Sequence, residues 1–201
     1  SFKSVLSNQM NGFDYENTEN LIIDLRGNEG GAMKNVTELL SYVMEEPFVQ
    51  AIEGRIVKHK NEEDFEKRTR KRWYPWSGIG RFKAKRNNYK GVLYVLVDEG
   101  SSSASPVCAQ VLRKYKRATI IGNETGGNPI ILNGFILGSK PNMPNTKHKT
   151  YSGNYCTIID DIKLNTGYGL IPDHIVTPTV SDLNTTNDRV LQYVFDLIEK
   201  E

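Results

Sequence analysis

Four serines stand in the seven residues Glu99-Gly100-Ser101-Ser102-Ser103-Ala104-Ser105. A serine hydroxyl is a weak nucleophile near neutral pH. It becomes useful when a neighbouring base takes its proton and fixed donors hold the oxyanion that forms on its target. The surroundings of this cluster suit that chemistry. The apolar run Gly91 to Asp98 (GVLYVLVD) precedes it and reads as a buried strand. A stripe of Ala104, Cys108, Val111, Leu112 and Tyr115 follows it and reads as an amphipathic helix. A serine at that junction sits at the carboxyl end of a strand, where α/β sheets bind ligands, and beside the free N–H groups of a helix N-terminus. Serine is also a favoured N-cap, and spacing alone favours that plainer use.

A second turn has the same setting. Arg26-Gly27-Asn28-Glu29-Gly30-Gly31 follows the apolar run Leu21 to Leu25 and precedes a helical stripe of Val36, Leu39, Leu40 and Val43. Such a turn can present backbone N–H groups to an anionic oxygen, although it also serves as an ordinary tight turn. It is not a dinucleotide fingerprint, because the G-x-G-x-x-G spacing is missing. Two glycine- and serine-rich turns in one sheet make a shared cleft more plausible than either does alone.

The elements that must hold these turns form a repeating pattern. Ala118 to Gly122 is a third buried strand, followed by the loop Asn123 to Asn128. Ile130 to Leu137 and Tyr155 to Ile159 read as further strands, and Val190, Leu191, Val194, Leu197 and Ile198 line one face of a closing helix. Buried strands alternating with amphipathic helices predict an α/β fold with a mostly parallel central sheet. The chain has 201 residues, of which 38% are hydrophobic and 25% charged, enough to bury an ordinary core. Its net charge of +2 gives no reason to expect nucleic acid or an anionic membrane as partner. No apolar run approaches the roughly 20 residues of a membrane helix. Residues 59–90 read as a charged and aromatic insertion, with Trp73, Tyr74 and Trp76 beside a mixed-charge run. His59, His148 and His174 form no metal-ligand spacing with other donors, so no metal or cofactor is expected. Cys108 and Cys156 read as free buried thiols.

Four segments carry a resemblance to a known family. Leu21 to Gly31 (LIIDLRGNEGG) resembles the Asp-Leu-Arg-x-Asn-x-Gly-Gly motif of the tail-specific, or C-terminal processing, serine proteases. Tyr94 to Ser105 (YVLVDEGSSSAS) resembles their nucleophile segment, Thr119 to Pro129 (TIIGNETGGNP) the segment after it, and Gly169 to Thr179 (GLIPDHIVTPT) their closing Gly-x-x-Pro-Asp element. The four occur in the family's order. The resemblance implies a ClpP/crotonase-like spiral of ββα units, with residues 1–201 as a peptidase core domain. It implies Ser103 as nucleophile, the backbone N–H groups of Gly31 and Ala104 as oxyanion hole, and Gly30, Gly126, Gly127 and Asn128 as substrate-cleft residues. It also implies protein or peptide substrates and, by family habit, work outside the cytoplasm.

The chain departs from the family pattern at the general base. One branch uses a lysine, and the matching position is Asn128. The tricorn-like branch, which the Thr125-Gly126-Gly127 loop suits better, uses a histidine from before the Leu21 strand and a glutamate near Thr166. No histidine precedes Leu21 here. The expectation is that an upstream region supplies the base, together with an N-terminal domain and any PDZ-like module. Two other readings stand beside the peptidase: an inactive peptide-binding module on the same core, and an acyl-CoA enzyme of crotonase type, which the Ser-Ala-Ser motif disfavours. Asp24 and Arg26 are expected to hold their turn, with pairing of Arg26 to a substrate carboxylate as the minor alternative.

Overall fold

The computed structural model describes residues 1–56, 78–134, 143–149, 155–159, 167–183 and 188–200. His59, the aromatic cluster Trp73, Tyr74 and Trp76, and Thr166 lie outside the described residues. In chain order the elements are α1 (Phe2–Asn11), β1 (Asn20–Asp24), α2 (Met33–Val43), β2 (Phe48–Val49), β3 (Glu53–Ile56), β4 (Arg81–Phe82), β5 (Val92–Val97), α3 (Ala104–Lys114), β6 (Thr119–Gly122), β7 (Ile131–Gly134), β8 (Tyr155–Ile158), β9 (His174–Ile175), α4 (Val180–Leu183) and α5 (Arg189–Ile198).

The central sheet has the order β1-β5-β6-β9, and every pairing in it is parallel. The sequence of β5 explains why it lies inside. A strand covered on both faces needs apolar side chains at odd and even positions alike. Leu93, Val95 and Val97 point into one core with Leu40 of α2 and Val107 and Val111 of α3. Tyr94 and Leu96 point into a second core with Ile121, Val176 and the α5 residues Val190 and Val194. The side chains alternate across a strand, so one apolar run serves two layers of helix. Burying each of these aliphatic side chains contributes about 1.5–3 kcal/mol. The expected α/β class with a mostly parallel central sheet is therefore what the chain adopts. Two antiparallel pieces accompany it, β3-β8-β7 and β2-β4.

The parallel register places the functional turns. Asn20 to Asp24 pair with Val92 to Leu96, so β1 and β5 end side by side. Leu25 then donates its N–H to the Leu96 carbonyl at 2.9 Å, and both chains turn away at the same level of the sheet.

Helix α5 is locked to that end of the sheet by charge. Its N-cap Asp188 accepts the Leu191 N–H at 3.0 Å. The same carboxylate takes a two-pronged bond from Arg26, Nη1 to Oδ1 at 2.8 Å and Nη2 to Oδ2 at 2.6 Å. Arg26 also bonds Asp24 through Nε at 2.9 Å and Nη2 at 2.6 Å. The guanidinium is thus engaged on both edges, which supports the turn-holding role and leaves the substrate-carboxylate alternative without a free fork. The Arg26 bonds hold the Asp188 carboxyl below its usual value of 3.8, against an opposing push from burial. A carboxyl depressed in the fold stabilises it above the unfolded value and loses that effect as pH falls through the folded one. Asp188→Ala should therefore lower the unfolding free energy by about 1–2 kcal/mol at neutral pH, with loss of both cap and ion pair. Asp188→Asn, which keeps the cap, should cost less. As pH falls through the depressed value, below 3.8, the parent should lose its advantage over the Asn form but only part of its advantage over the Ala form, which lacks the cap. Urea unfolding of the three forms at several pH values measures this.

Candidate active site

Neighbouring strand ends alone would leave the two turns free to splay, and a small set of polar groups stitches them together. Asp98 Oδ1 accepts the Gly27 N–H at 2.8 Å and the Gly100 N–H at 3.0 Å. The fully buried Ser101 donates its hydroxyl to the Leu25 carbonyl at 2.8 Å and accepts the Asp98 N–H at 3.1 Å. Asn28 completes the stitch. Its carbonyl accepts the Ser102 N–H at 3.0 Å. Its side-chain oxygen accepts the Gly30 N–H and the Ser105 hydroxyl, each at 2.8 Å. Ser102 Oγ donates to the Glu29 carbonyl at 3.2 Å.

These bonds separate the four serines. Ser101, Ser102 and Ser105 spend their hydroxyls on the turns. Ser103 is exposed and makes no side-chain hydrogen bond among the described residues. It is the N-cap of α3, yet its side chain does not cap the helix, so the capping role favoured by spacing is not the one it plays. Its backbone has φ 56° and ψ −113°. A residue with a Cβ rarely adopts such a conformation, which costs on the order of 1–3 kcal/mol and recurs at functional sites. The strain is sustained by the stitch around it.

The Gly30-Gly31 turn presses against this corner. Gly30 has φ 96°, and a Cβ there would stand 2.6 Å from Ser103 Cβ and 2.7 Å from the Ala104 nitrogen. The expected facing of the two turns is present. On the other flank, a Cβ at Gly127 would stand 2.8 Å from the Ser103 nitrogen, so the Thr125-Gly126-Gly127 loop backs the same corner. Thr125 holds that loop in place. Its hydroxyl donates to the Gly127 carbonyl and accepts the Leu170 N–H, both at 2.8 Å. Glu124 Oε1 accepts the Gly169 N–H at 2.8 Å, docking the closing segment here as well. Four segments distant in sequence thus meet around Ser103.

A cavity of about 170 Å³ opens beside Gly30, Gly31 and Ala104. Leu25, Val36, Leu39 and Cys108 contribute to its wall. Burial pushes the Cys108 thiol up to about 12, which keeps it neutral and unreactive.

Among the described residues no base is evident near Ser103. Asn128, at the family's lysine position, uses its amide structurally: Oδ1 accepts the Ile130 N–H at 2.8 Å and Nδ2 donates to the Tyr168 carbonyl at 3.3 Å. His148 is exposed, and His174 Nδ1 lies 3.1 Å from Tyr193 Oη at the edge of the sheet. No group of His, Cys, Asp and Glu suited to a metal occurs among the described residues. Sequence reasoning missed Asn28 and Asp98 as organisers of the site. The signal available was weak: each lies two residues before a glycine, where Asx side chains commonly bond nearby backbone.

Comparison with known proteins agrees with this geometry. Residues 1–176 match the family model of peptidase family S41. The chain is 28% identical over 141 residues to the carboxy-terminal processing protease CtpB of Bacillus subtilis, covering 68% of this chain and 25% of that one. It is 30% identical over 115 residues to the tail-specific protease of Haemophilus influenzae, covering 56% of this chain and 14% of that one. A solved structure of a candidate peptidase from Parabacteroides merdae shares the fold, with a TM-score of 0.64 at 20% identity over 97% of this chain and 56% of that one. The matched stretch amounts to a quarter or less of each curated relative.

The close approach of Gly30 sets a sharp expectation. Gly30→Ala should force the two turns apart and destabilise the fold by at least about 2 kcal/mol, since both the positive φ and the backbone contact forbid a methyl group. Thermal unfolding measures the loss. A variant as stable as the parent would show that the turns do not need this contact.

Proposed function

Because the chain belongs to peptidase family S41, we propose that it is the core of a serine peptidase that cleaves peptide bonds through an acyl-enzyme on Ser103. The observation that carries this reading is the corner itself: one exposed serine, its hydroxyl uncommitted among the described residues and its backbone strained, set among three serines tied into the turns. Ser103 Oγ attacks the scissile carbonyl, and the N–H groups of Gly31 and Ala104 receive the oxyanion. Ala104 begins α3, so the helix dipole adds its positive end to that position. Water then releases the acyl group, and protein or peptide is the substrate class. Gly126 and Gly127 hold the elbow from behind, and Asn128 anchors the segment that follows them.

Asn128 also supports the second reading, an inactive peptide-binding module. An amide committed to two backbone groups cannot take a proton from Ser103. A serine without a positioned base loses most of its rate, although an acceleration of about 10³-fold over water survives from the oxyanion hole and binding. Residues 1–201 on their own should therefore show little or no Ser103-dependent cleavage of unfolded casein, and robust cleavage would place the base within them.

In the full-length protein, Ser103→Ala should lower turnover of a peptide pool by at least about 10³-fold. Its melting temperature should stay near that of the parent, because an exposed hydroxyl contributes little to the fold. Ser101→Ala should do the reverse. It removes a buried hydroxyl and should cost about 1–3 kcal/mol of stability, with a smaller loss of turnover in the folded fraction. Parental turnover in the Ser103→Ala form, or none in the parent on any pool, would favour the binding module.

A further inference from the structure

The cavity beside Gly30, Gly31 and Ala104, about 170 Å³ in volume, is similar in size to an engineered cavity of about 150 Å³ that holds benzene. Among the described residues no charged side chain lines it, and three bring polar side chains to it. Asn28 Oδ1 is taken by the Gly30 N–H and the Ser105 hydroxyl, and that bond consumes the Ser105 proton. Asn35, half-buried in the first turn of α2, makes no side-chain hydrogen bond among the described residues. Its amide offers both a donor and an acceptor to whatever enters.

We propose that Asn35 is a specificity-determining residue: its amide hydrogen-bonds the substrate side chain that fills this cavity, selecting a neutral hydroxyl-bearing side chain over the apolar side chain of the same shape. The proposal rests on the peptidase reading of Ser103 and names its substrate preference. Threonine and valine illustrate the physics. Both fill the same space against Val36, Leu39 and Cys108. Threonine pairs its hydroxyl with the amide whichever way the amide is turned, whereas valine covers the amide and leaves it without a partner. Charged side chains find no counter-ion among the described residues of the lining and are disfavoured.

The test uses the full-length protein and two fluorogenic peptides that differ only by Thr or Val immediately before the cleaved bond, the bond being mapped by mass spectrometry. The parent should favour Thr over Val in kcat/KM by about tenfold, the worth of one hydrogen bond of ordinary strength. Asn35→Leu should abolish that ratio, and Asn35→Gln, which keeps an amide, should retain a preference in the same direction. Equal losses on both peptides in Asn35→Leu would assign the amide to the substrate main chain or to the fold and would overturn the proposal, as would a parent with no Thr preference. Affinities of full-length Ser103→Ala for the same peptides separate the two levels. If the parent cleaves nothing but the Ser103→Ala form binds the Thr peptide more tightly in an Asn35-dependent way, the peptidase reading fails and the selectivity stands. If that form binds neither peptide, the selectivity fails too.

Discussion

A single carboxylate oxygen, Asp98 Oδ1, receives N–H groups from Gly27 and from Gly100, one on each of the two turns. Most of the site depends on that shared acceptor. The turns leave neighbouring parallel strands whose own ladder stops at Asp24 and Leu96, and beyond it side chains join two backbone bonds, Leu25 N–H to Leu96 and Ser102 N–H to Asn28, in holding them together. Asp98, Ser101 and Asn28 do so with bonds of 2.8–3.1 Å. Charge assistance makes the Asp98 bonds stronger than those between neutral groups. Burial of Ser101 makes its loss costly, because the Asp98 N–H it accepts would lose its partner.

That stitch is what allows Ser103 to keep its strained backbone. Ser101, Ser102 and Ser105 on either side of it are bonded into the turns, which fixes the chain through this position. A similar logic explains the flanking glycines. Gly30 and Gly127 approach the corner from opposite sides at distances where a methyl group would collide with backbone. The corner is held as a wedge between two loops, and the two-sided burial of β5 supplies the rigid platform beneath it.

The platform was legible from residues alone. GVLYVLVD is apolar at consecutive positions, and only a strand covered on both faces needs that. Helices α2, α3 and α5 were legible from their stripes, whereas α1 and α4 carried no such signal. The setting of Ser103 was not legible. A serine that caps its helix and one whose hydroxyl is left uncommitted share the same place in sequence, and they differ in a backbone angle and in which neighbouring hydroxyls are already spoken for. Those facts come from Gly30, Asn28 and Gly127, residues far apart in the chain, so the resemblance was needed to single out Ser103. The Asn28 and Asp98 contacts were hidden for the same reason: turn-forming residue types are common, and their long-range partners carry no local signature. The double clamp on Arg26 was half visible, since Asp24 is two residues away but Asp188 is 162 residues distant.

The match to the S41 family model stops at residue 176, yet α5 begins at Arg189 and its cap Asp188 grips Arg26 beside the Gly30-Gly31 turn. The kinship boundary and the folding boundary of this chain therefore do not coincide. Val190 and Val194 cover Tyr94, Leu96 and Ile121, so a domain cut at the edge of the recognisable family would strip one face of its central sheet. A segment outside the sequence-family match can still belong to the cooperative unit, and here the last helix is part of the foundation on which the candidate site rests.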